Sequence, residues 1–335
     1  MTIKDIARES GYAIGTVSRV LNNQPGVSEE ARRSVMEVVE KYHFKLNNNA
    51  KLLKQQYNHG IAIIVKGTKN MLFAALVETL QKIITESGYA CLLYYIGEDE
   101  HEVEQALQVC RDRQPMGILF LGSNKENFKD KFELVDVPCV IVTNSALGLD
   151  FPNLSSVSVD DVEAGRTAVD YLISLGHEKI GILGGEMKHS NPAKARYEGC
   201  VQAFEEHHVK FNPKMQFASS YFTMEGGYNA MCELLQKTPE LTAVFAMSDV
   251  TALGAIRAIK DAGLCIPEDV SVVGYDGVEI GRYIVPKLTT IQQPGTRIAE
   301  RCVKILLQCI ENNGPSVREQ VDFTLVAGES TRKMK

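Results

Sequence analysis

The run Thr2-Ile3-Lys4-Asp5-Ile6-Ala7, followed after Gly11 by Thr16-Val17-Ser18-Arg19-Val20-Leu21-Asn22, carries the strongest structural signal in this 335-residue chain. Thr2 is placed to cap a helix, Asp5 stands three residues on as in a capping box, and Ile3, Ile6 and Ala7 form one apolar stripe. A short helix ending near Ser10 is predicted. Gly11 supplies the turn, and a second helix from about Ile14 to Leu21 buries Val17, Val20 and Leu21 while Thr16, Ser18 and Arg19 point away. After the loop Asn23-Gln24-Pro25-Gly26, a serine cap with two acids, Ser28-Glu29-Glu30, opens a third helix carrying Val35, Val38, Val39 and Tyr42. Spacing alone leaves two readings of the first pair open, an αα-hairpin and a DNA-reading helix-turn-helix.

The residues themselves narrow the choice. Ile3-Lys4-Asp5-Ile6-Ala7, Thr16 through Asn22 and Val27-Ser28-Glu29-Glu30 resemble, in order and spacing, the amino terminus of the LacI/GalR family of bacterial transcription regulators. The resemblance implies a three-helix head over 1–46 whose second helix lies in the major groove of DNA. Ile14, Gly15 and Arg19 would then face base edges, with Thr16, Ser18 and Asn22 near phosphates, and Arg19 could donate two hydrogen bonds to guanine. Ala13 stands where the family usually has a serine cap, and Ile14 and Gly15 offer only apolar contact or none, so specificity leans on Arg19 and on the segment after the third helix.

That segment, 47–58, is polar and helix-capable, and its residues can be read as a solvated linker. The resemblance implies instead a hinge helix that places Leu53 in the minor groove, where unstacking a base step costs a few kcal/mol and favours deformable sequence. Thr2, Asn47, Ala50 and Lys51 join the DNA contacts so implied. Leu46 replaces the proline common before the hinge, and Lys51 replaces the usual arginine.

Charge fits this division. The chain has a formal net charge of −6, yet residues 1–56 carry nine Lys/Arg against six acids, a net of +3 that leaves −9 for the remainder. A mildly basic head on an acidic body argues against general nucleic-acid coating and for contact through one end. The chain is long enough for such a head and two further domains. No apolar run approaches membrane-spanning length and no charged-then-apolar leader precedes the helix pair, so a cytoplasmic protein is expected. The eight cysteines are scattered singly without a CxxC pair and read as buried, reduced thiols, while His207-His208 reads as a solvated face. No metal and no cofactor is expected.

From Gly60 onward, β-branched runs alternate with amphipathic helices: Ile61 to Val65, Cys91 to Ile96, Gly117 to Leu121, Cys139 to Thr143, Lys179 to Leu183, Ala243 to Met247 and Val270 to Tyr275. Strands of this kind predict parallel sheets covered on both faces, arranged as two doubly wound lobes with a ligand site in the cleft between them. The ligand-sensing domain is drawn over 59–335, with one lobe at about 60–160 plus part of 290–320 and the other at about 161–289 plus the C-terminal strand.

This region also resembles the family's sensor domain, itself similar to periplasmic sugar-binding proteins. The matching motifs include Ser158-Val159-Asp160-Asp161, Leu175-Gly176-His177, Ala252-Leu253-Gly254-Ala255, Pro267 through Asp276 and Leu288-Thr289-Thr290-Ile291. By that resemblance Phe73, Asp160, Ser190, Arg196, Phe222, Ser248 and Asp276 are effector contacts. An arginine that donates and a carboxylate that accepts suit adjacent hydroxyls, and an aromatic ring suits the apolar face of a pyranose or a base. Plainer roles stand beside these: Asp276 as a cap, Arg196 as a surface ion-pair partner, the phenylalanines as core. Gly277 replaces a common second acid and Gly295 leaves space, which predicts a roomy pocket.

The expectation is a sequence-specific transcriptional repressor that binds double-stranded operator DNA as a homodimer and responds to a small effector. That effector is read as a sugar, with a nucleoside or purine as the alternative. A two-lobed ligand-binding protein without direct DNA regulation is the second reading. No GxxxxGK or GxSxG occurs, which argues against an enzyme.

Overall fold

The computed structural model describes residues 3–21, 25–42, 60–67, 70–185, 187, 190–312 and 314–334. These fall into two compact units, Met1–Gln56 and Tyr57–Lys335. Thr2, Asn22, Asn47, Ala50, Lys51, Leu53 and the expected hinge helix lie outside the described residues.

The first unit holds α1 (Ile3–Ser10), α2 (Ile14–Leu21) and α3 (Glu29–Lys41). Its core is small: Ile6, Ala7, Val17, Val20 and Val35 are buried, with Ile3, Leu21, Val38 and Val39 packed around them. Gly11 turns the chain between α1 and α2 at φ +73°, a conformation that favours glycine. Ser28 caps α3 by accepting from the Ala31 amide at 3.3 Å. Tyr42, expected on the apolar stripe, is exposed, and its hydroxyl donates to Glu9 at 3.4 Å.

The second unit begins with β1 (Gly60–Lys66), α4 (Met71–Glu86), β2 (Ala90–Ile96), α5 (Glu102–Arg113), β3 (Gly117–Leu121), α6 (Lys125–Phe128), β4 (Cys139–Thr143) and β5 (Leu154–Ser158). It continues with α7 (Asp161–Ser174), β6 (Ile180–Gly184), α8 (Asn191–Glu206), α9 (Pro213–Gln216), β7 (Phe217–Ser219), α10 (Met224–Lys237), β8 (Ala243–Ala246), α11 (Asp249–Asp261), β9 (Ser271–Asp276) and β10 (Thr289–Gln292). Last come α12 (Gly295–Asn312), β11 (Arg318–Gln320) and β12 (Thr324–Val326). Two six-stranded sheets result, ordered β11-β5-β4-β3-β1-β2 and β12-β10-β9-β8-β6-β7, parallel except where β12 runs against β10. The chain passes between the sheets after Ser158, after Gln292 and after Gln320.

Both faces of the first sheet are covered. Ile61, Ile63 and Val65 of β1 pack with Leu76 and Leu80 of α4 and Ile298 and Cys302 of α12. Ala62 and Ile64 face the other way, into a cluster with Val103 of α5 and the edge-on rings of Phe120, Phe128 and Phe132. Alternate residues thus meet different helical layers, which is why the strand is apolar throughout.

In the second lobe, α7 and α8 approach at Gly165 and Gly199. A Cβ at Gly165 would overlap the Arg196 carbonyl and one at Gly199 the Val162 carbonyl, so only glycine lets these backbones meet. That contact sets Arg196 beside Asp161.

All seven expected strands are present, with ends shifted by a residue or so. Among the described residues, β12 supplies the C-terminal strand expected in the second lobe, four further strands escaped the sequence reading, and β5, Leu-Ser-Ser-Val-Ser, shows why. It is buried throughout, but Ser155 and Ser156 spend their hydroxyls accepting from the Val317 and Ala146 amides, each at 3.0 Å, so its polarity conceals its burial. The expectation for the cysteines needs correction: Cys139, Cys200 and Cys302 are buried, four are half-buried and Cys265 is exposed, all as free thiols.

Candidate functional site

On α2, Val17 and Val20 turn into the core, which leaves Ile14, Gly15 and Arg19 exposed and Thr16 and Ser18 half-buried. Ile14 is 47% exposed, an uncovered aliphatic group at the first position of the helix. The Ala13 carbonyl accepts from the Thr16 and Val17 amides at 2.9 and 3.1 Å, closing the first turn through backbone alone. The result is a short helix with a small, mixed apolar and cationic outer face.

The second unit contains a cavity of about 520 Å³ between its two lobes. Its walls are the segments that come after the carboxyl ends of strands, the position where parallel sheets gather helix amino termini. Five residues at the start of helices line it: Asn70 of α4, His101 of α5, Asn124 of α6, Ser190 of α8 and Ser248 of α11. Four of them use a side-chain oxygen to cap; Ser190 accepts from Ala193 at 3.3 Å and Ser248 from Thr251 at 3.2 Å.

The lobe that starts with α7 contributes a fixed cationic centre. Arg196 is only 7% exposed. Its Nε donates to Asp161 Oδ1 at 2.8 Å, its Nη1 donates to the Met247 carbonyl at 2.6 Å, and its guanidinium stacks 3.5 Å above the Tyr275 ring. The Tyr275 hydroxyl donates to the same Asp161 oxygen at 2.7 Å. Burial opposes the arginine's charge, but Tyr275, Asp161 and Asp276 outweigh it and raise its pKa, so the group stays cationic.

Asp276 lines the cavity in a left-handed conformation at φ 110°, a strained state for a residue with a side chain. Gln293 Nε2 donates to its Oδ1 at 2.9 Å. Burial pushes the carboxyl up to about 6, while Arg196 and Gln293 pull it down. Behind it, fully buried Asp249 accepts from Thr290 Oγ1 at 2.6 Å and the Val278 amide at 2.7 Å; burial, then Asp276, pushes it up to about 8.

The opposite wall sets amides and hydroxyls beside Lys66, Glu98, Asp99 and His101. Glu102, 1% exposed, accepts from Lys66 at 3.0 Å, the Asn124 amide at 2.7 Å and Asn127 at 2.6 Å. Asn144 donates to the Ser123 carbonyl at 2.7 Å. The Lys125 amide donates across the cleft to Asn191 Oδ1 at 3.1 Å, so a hydrogen bond joins the lobes beside the cavity.

Among the described residues, four buried side-chain polar atoms lack a hydrogen-bond partner: His101 Nδ1, Ser123 Oγ, Ser220 Oγ and Gln293 Oε1. All four residues line this cavity. Orphan polar atoms are costly in a core and are expected where a ligand completes them.

Six of the seven expected effector contacts, Phe73, Ser190, Arg196, Phe222, Ser248 and Asp276, meet at the cavity. Asp160 does not. Its carboxylate accepts from the Val162 and Glu163 amides at 3.1 and 3.0 Å, so it caps α7 and faces a different recess. Arg196 is a buried rather than a surface ion pair. Gly277 and Gly295 are not in the walls, and a Cβ at Gly277 would overlap the Gln292 side chain, so the cavity's size comes from elsewhere.

The sequence reading missed Asp161, Asp249, Gln293, His101, Ser123, Ser220 and Tyr221. A usable signal existed: each of these residues falls within a few residues of a strand's carboxyl end, Asp161 opening the helix that crosses from the first sheet to the second.

Comparison with known proteins agrees with both units. Residues 2–47 match the bacterial regulatory proteins of the lacI family, and residues 169–331 match the periplasmic binding protein-like domain. The HTH-type transcriptional regulator MalR of Clostridium butyricum is 33% identical over 98% of this chain and 99% of its own length. The ribose operon repressor of Haemophilus influenzae is 33% identical over 100% of this chain and 99% of its own. Among solved structures, the transcriptional regulator CelR bound to cellobiose superposes with a TM-score of 0.72 at 25% identity, covering 98% of this chain and 99% of that one. With a helix-turn-helix head, a two-lobed body and relatives alike from end to end, the chain belongs to the LacI family of bacterial regulatory proteins and is a DNA-binding, ligand-responsive transcriptional regulator, not an enzyme.

Proposed function

We propose that this regulator is a homodimeric repressor whose grip on a near-palindromic operator is set by a sugar bound between its lobes. The observation that carries the sugar reading is the pairing of Arg196 and Asp276 at one cavity. The guanidinium is anchored through Nε and Nη1 and presents its remaining donors, while the carboxylate accepts. Adjacent hydroxyls are both donors and acceptors and match that pair. The rings of Phe73 and Phe222 in the same walls suit the apolar face of a pyranose. The ribose operon repressor and the CelR–cellobiose complex name sugars. A nucleoside or purine is the alternative, favoured by the same two rings if they stack on a base.

At the other end, Ile14, Gly15 and Arg19 read base edges, Thr16, Ser18 and Asn22 hold phosphates, and Leu53 with Thr2, Asn47, Ala50 and Lys51 engages the duplex at the hinge. Selection of bound sites from random duplex DNA by the full chain, with and without a panel of sugars and nucleosides, tests the whole reading. The expected result is a symmetric motif whose recovery changes with one sugar. Arg19→Ala then relaxes preference at one base per half-site, a loss of about 1–3 kcal/mol in discrimination. Leu53→Ala weakens specific binding and spares binding to random DNA. Absence of any enriched motif, or a response confined to nucleosides, overturns the operator or the sugar assignment respectively.

A further inference from the structure

The cavity is larger than one sugar ring requires. A hexose occupies roughly 200 Å³ at the packing density of an organic crystal, whereas the cavity measures about 520 Å³. One ring leaves more than half of it unfilled, and two fill most of it. The walls point the same way. Arg196 and Asp276 line it from the lobe of α7 and α8, and the orphaned Gln293 Oε1 belongs to the amide bonded to Asp276. His101 Nδ1 and Ser123 Oγ, also orphaned, come from the opposite lobe, and Ser220 Oγ lies in the residue before Tyr221. A ligand that completes all four reaches from Asp276 across the cleft and along the loop after β7.

Tyr221 is the unusual member of that loop. It lines the cavity and is nevertheless 64% exposed, unlike half-buried Phe222 beside it. Bare aromatic surface at the rim of a hydroxyl-lined cleft is the platform a second, outer sugar ring would stack on.

We infer that the effector is a disaccharide, its inner ring held by Arg196 and Asp276 and its outer ring stacked on Tyr221. This inference rests on the sugar reading above. Titration calorimetry on the full chain with glucose and galactose, and with maltose, cellobiose and lactose, tests it. One of the disaccharides is expected to bind at least thirtyfold more tightly than its component monosaccharides. Tyr221→Ala is expected to cost that disaccharide about tenfold and to leave monosaccharide affinity within twofold. Tyr221→Phe, which keeps the ring and loses the hydroxyl, is expected to retain most of the affinity. Equal affinity for disaccharide and monosaccharide, or equal losses for both in Tyr221→Ala, overturns the two-ring assignment and leaves the sugar reading standing. Binding of a nucleoside with no binding of any sugar overturns both.

Discussion

The two lobes share one architecture, a six-stranded, mainly parallel sheet between helical layers, yet they offer the cavity different chemistry. The lobe containing α7 and α8 presents charge, with Arg196 locked by Asp161, Met247 and Tyr275 and with Asp276 beside it. The lobe containing β1 to β5 presents Asn70, Ser123, Asn124, Asn127, Thr143 and Asn144 beside the exposed acids Glu98 and Asp99, its ion pair Lys66–Glu102 already satisfied. A charge held by three partners cannot reorient without losing them, whereas neutral amides can exchange one hydroxyl for another. The contrast is between a buried charge fixed by its partners, able to orient a ligand, and a wall of amides and exposed acids able to adapt to it.

The most severe disruption of that contrast is Arg196→Leu. It leaves Asp161 in a desolvated site without its cation, a loss of about 3–5 kcal/mol, and it removes the donors at the charged end. Urea unfolding and calorimetry with the effector should show lower stability and binding beyond detection. Retained affinity would mean that the amide lobe orients the ligand. Lys66→Met is the matching change across the cleft. Glu102 keeps its bonds from Asn124 and Asn127, so a stability loss of about 2 kcal/mol is expected, with effector affinity within a few fold. A collapse of affinity at unchanged stability would erase the distinction between the lobes.

The two buried acids probe the charged lobe further through pH. Asp249 is pushed up to about 8 in the folded protein from an ordinary 3.8. A raised folded-state value means the native chain holds its proton more tightly. This group's contribution is therefore full below pH 3.8 and is lost as pH rises through 8, at no more than about 1.4 kcal/mol per pH unit. Asp249→Asn, whose amide can donate to Thr290 and whose oxygen can accept from Val278, should flatten stability between pH 4 and 8. An unchanged slope would place the titration elsewhere. The smallest effect concerns Asp276, raised to about 6. If its carboxylate accepts from the ligand, effector affinity falls as pH drops through 6, by at most about tenfold per unit. Asp276→Asn should bind more weakly and lose that dependence, and affinity flat from pH 7 to 5 in the parent protein would show that the carboxylate takes no hydrogen bond from the ligand.

Much of this molecule was legible in its residues because the relevant physics is local. Helix periodicity over Ile3 to Leu21, the turn at Gly11, the Ser28 cap and the strands with unbroken β-branched runs depend on neighbours a few positions apart. Local spacing also separated Arg19 from the inward Val17 and Val20, whereas Ile14, three residues before Val17, was placed outward only by the resemblance. Six of the residues expected at the effector site line the cavity because the resemblance carried their positions over, but the same resemblance put Asp160 there and it caps a helix instead. A carboxylate at that position either points into the cleft or caps the helix it precedes, and only the path of the chain decides between them.

The residues in their order were enough for a helix-turn-helix head and a doubly wound α/β body, since hydrophobic period and turn chemistry are written along the chain. Folding was needed to bring Arg196 to Asp161 and Tyr275, residues 35 and 79 positions away in sequence, through a helix contact that Gly165 and Gly199 permit. Folding also brought four unsatisfied polar atoms from four strand ends to one cavity, because burial and orphaned hydrogen bonds are properties of assembled surfaces and have no signature in any local stretch of sequence.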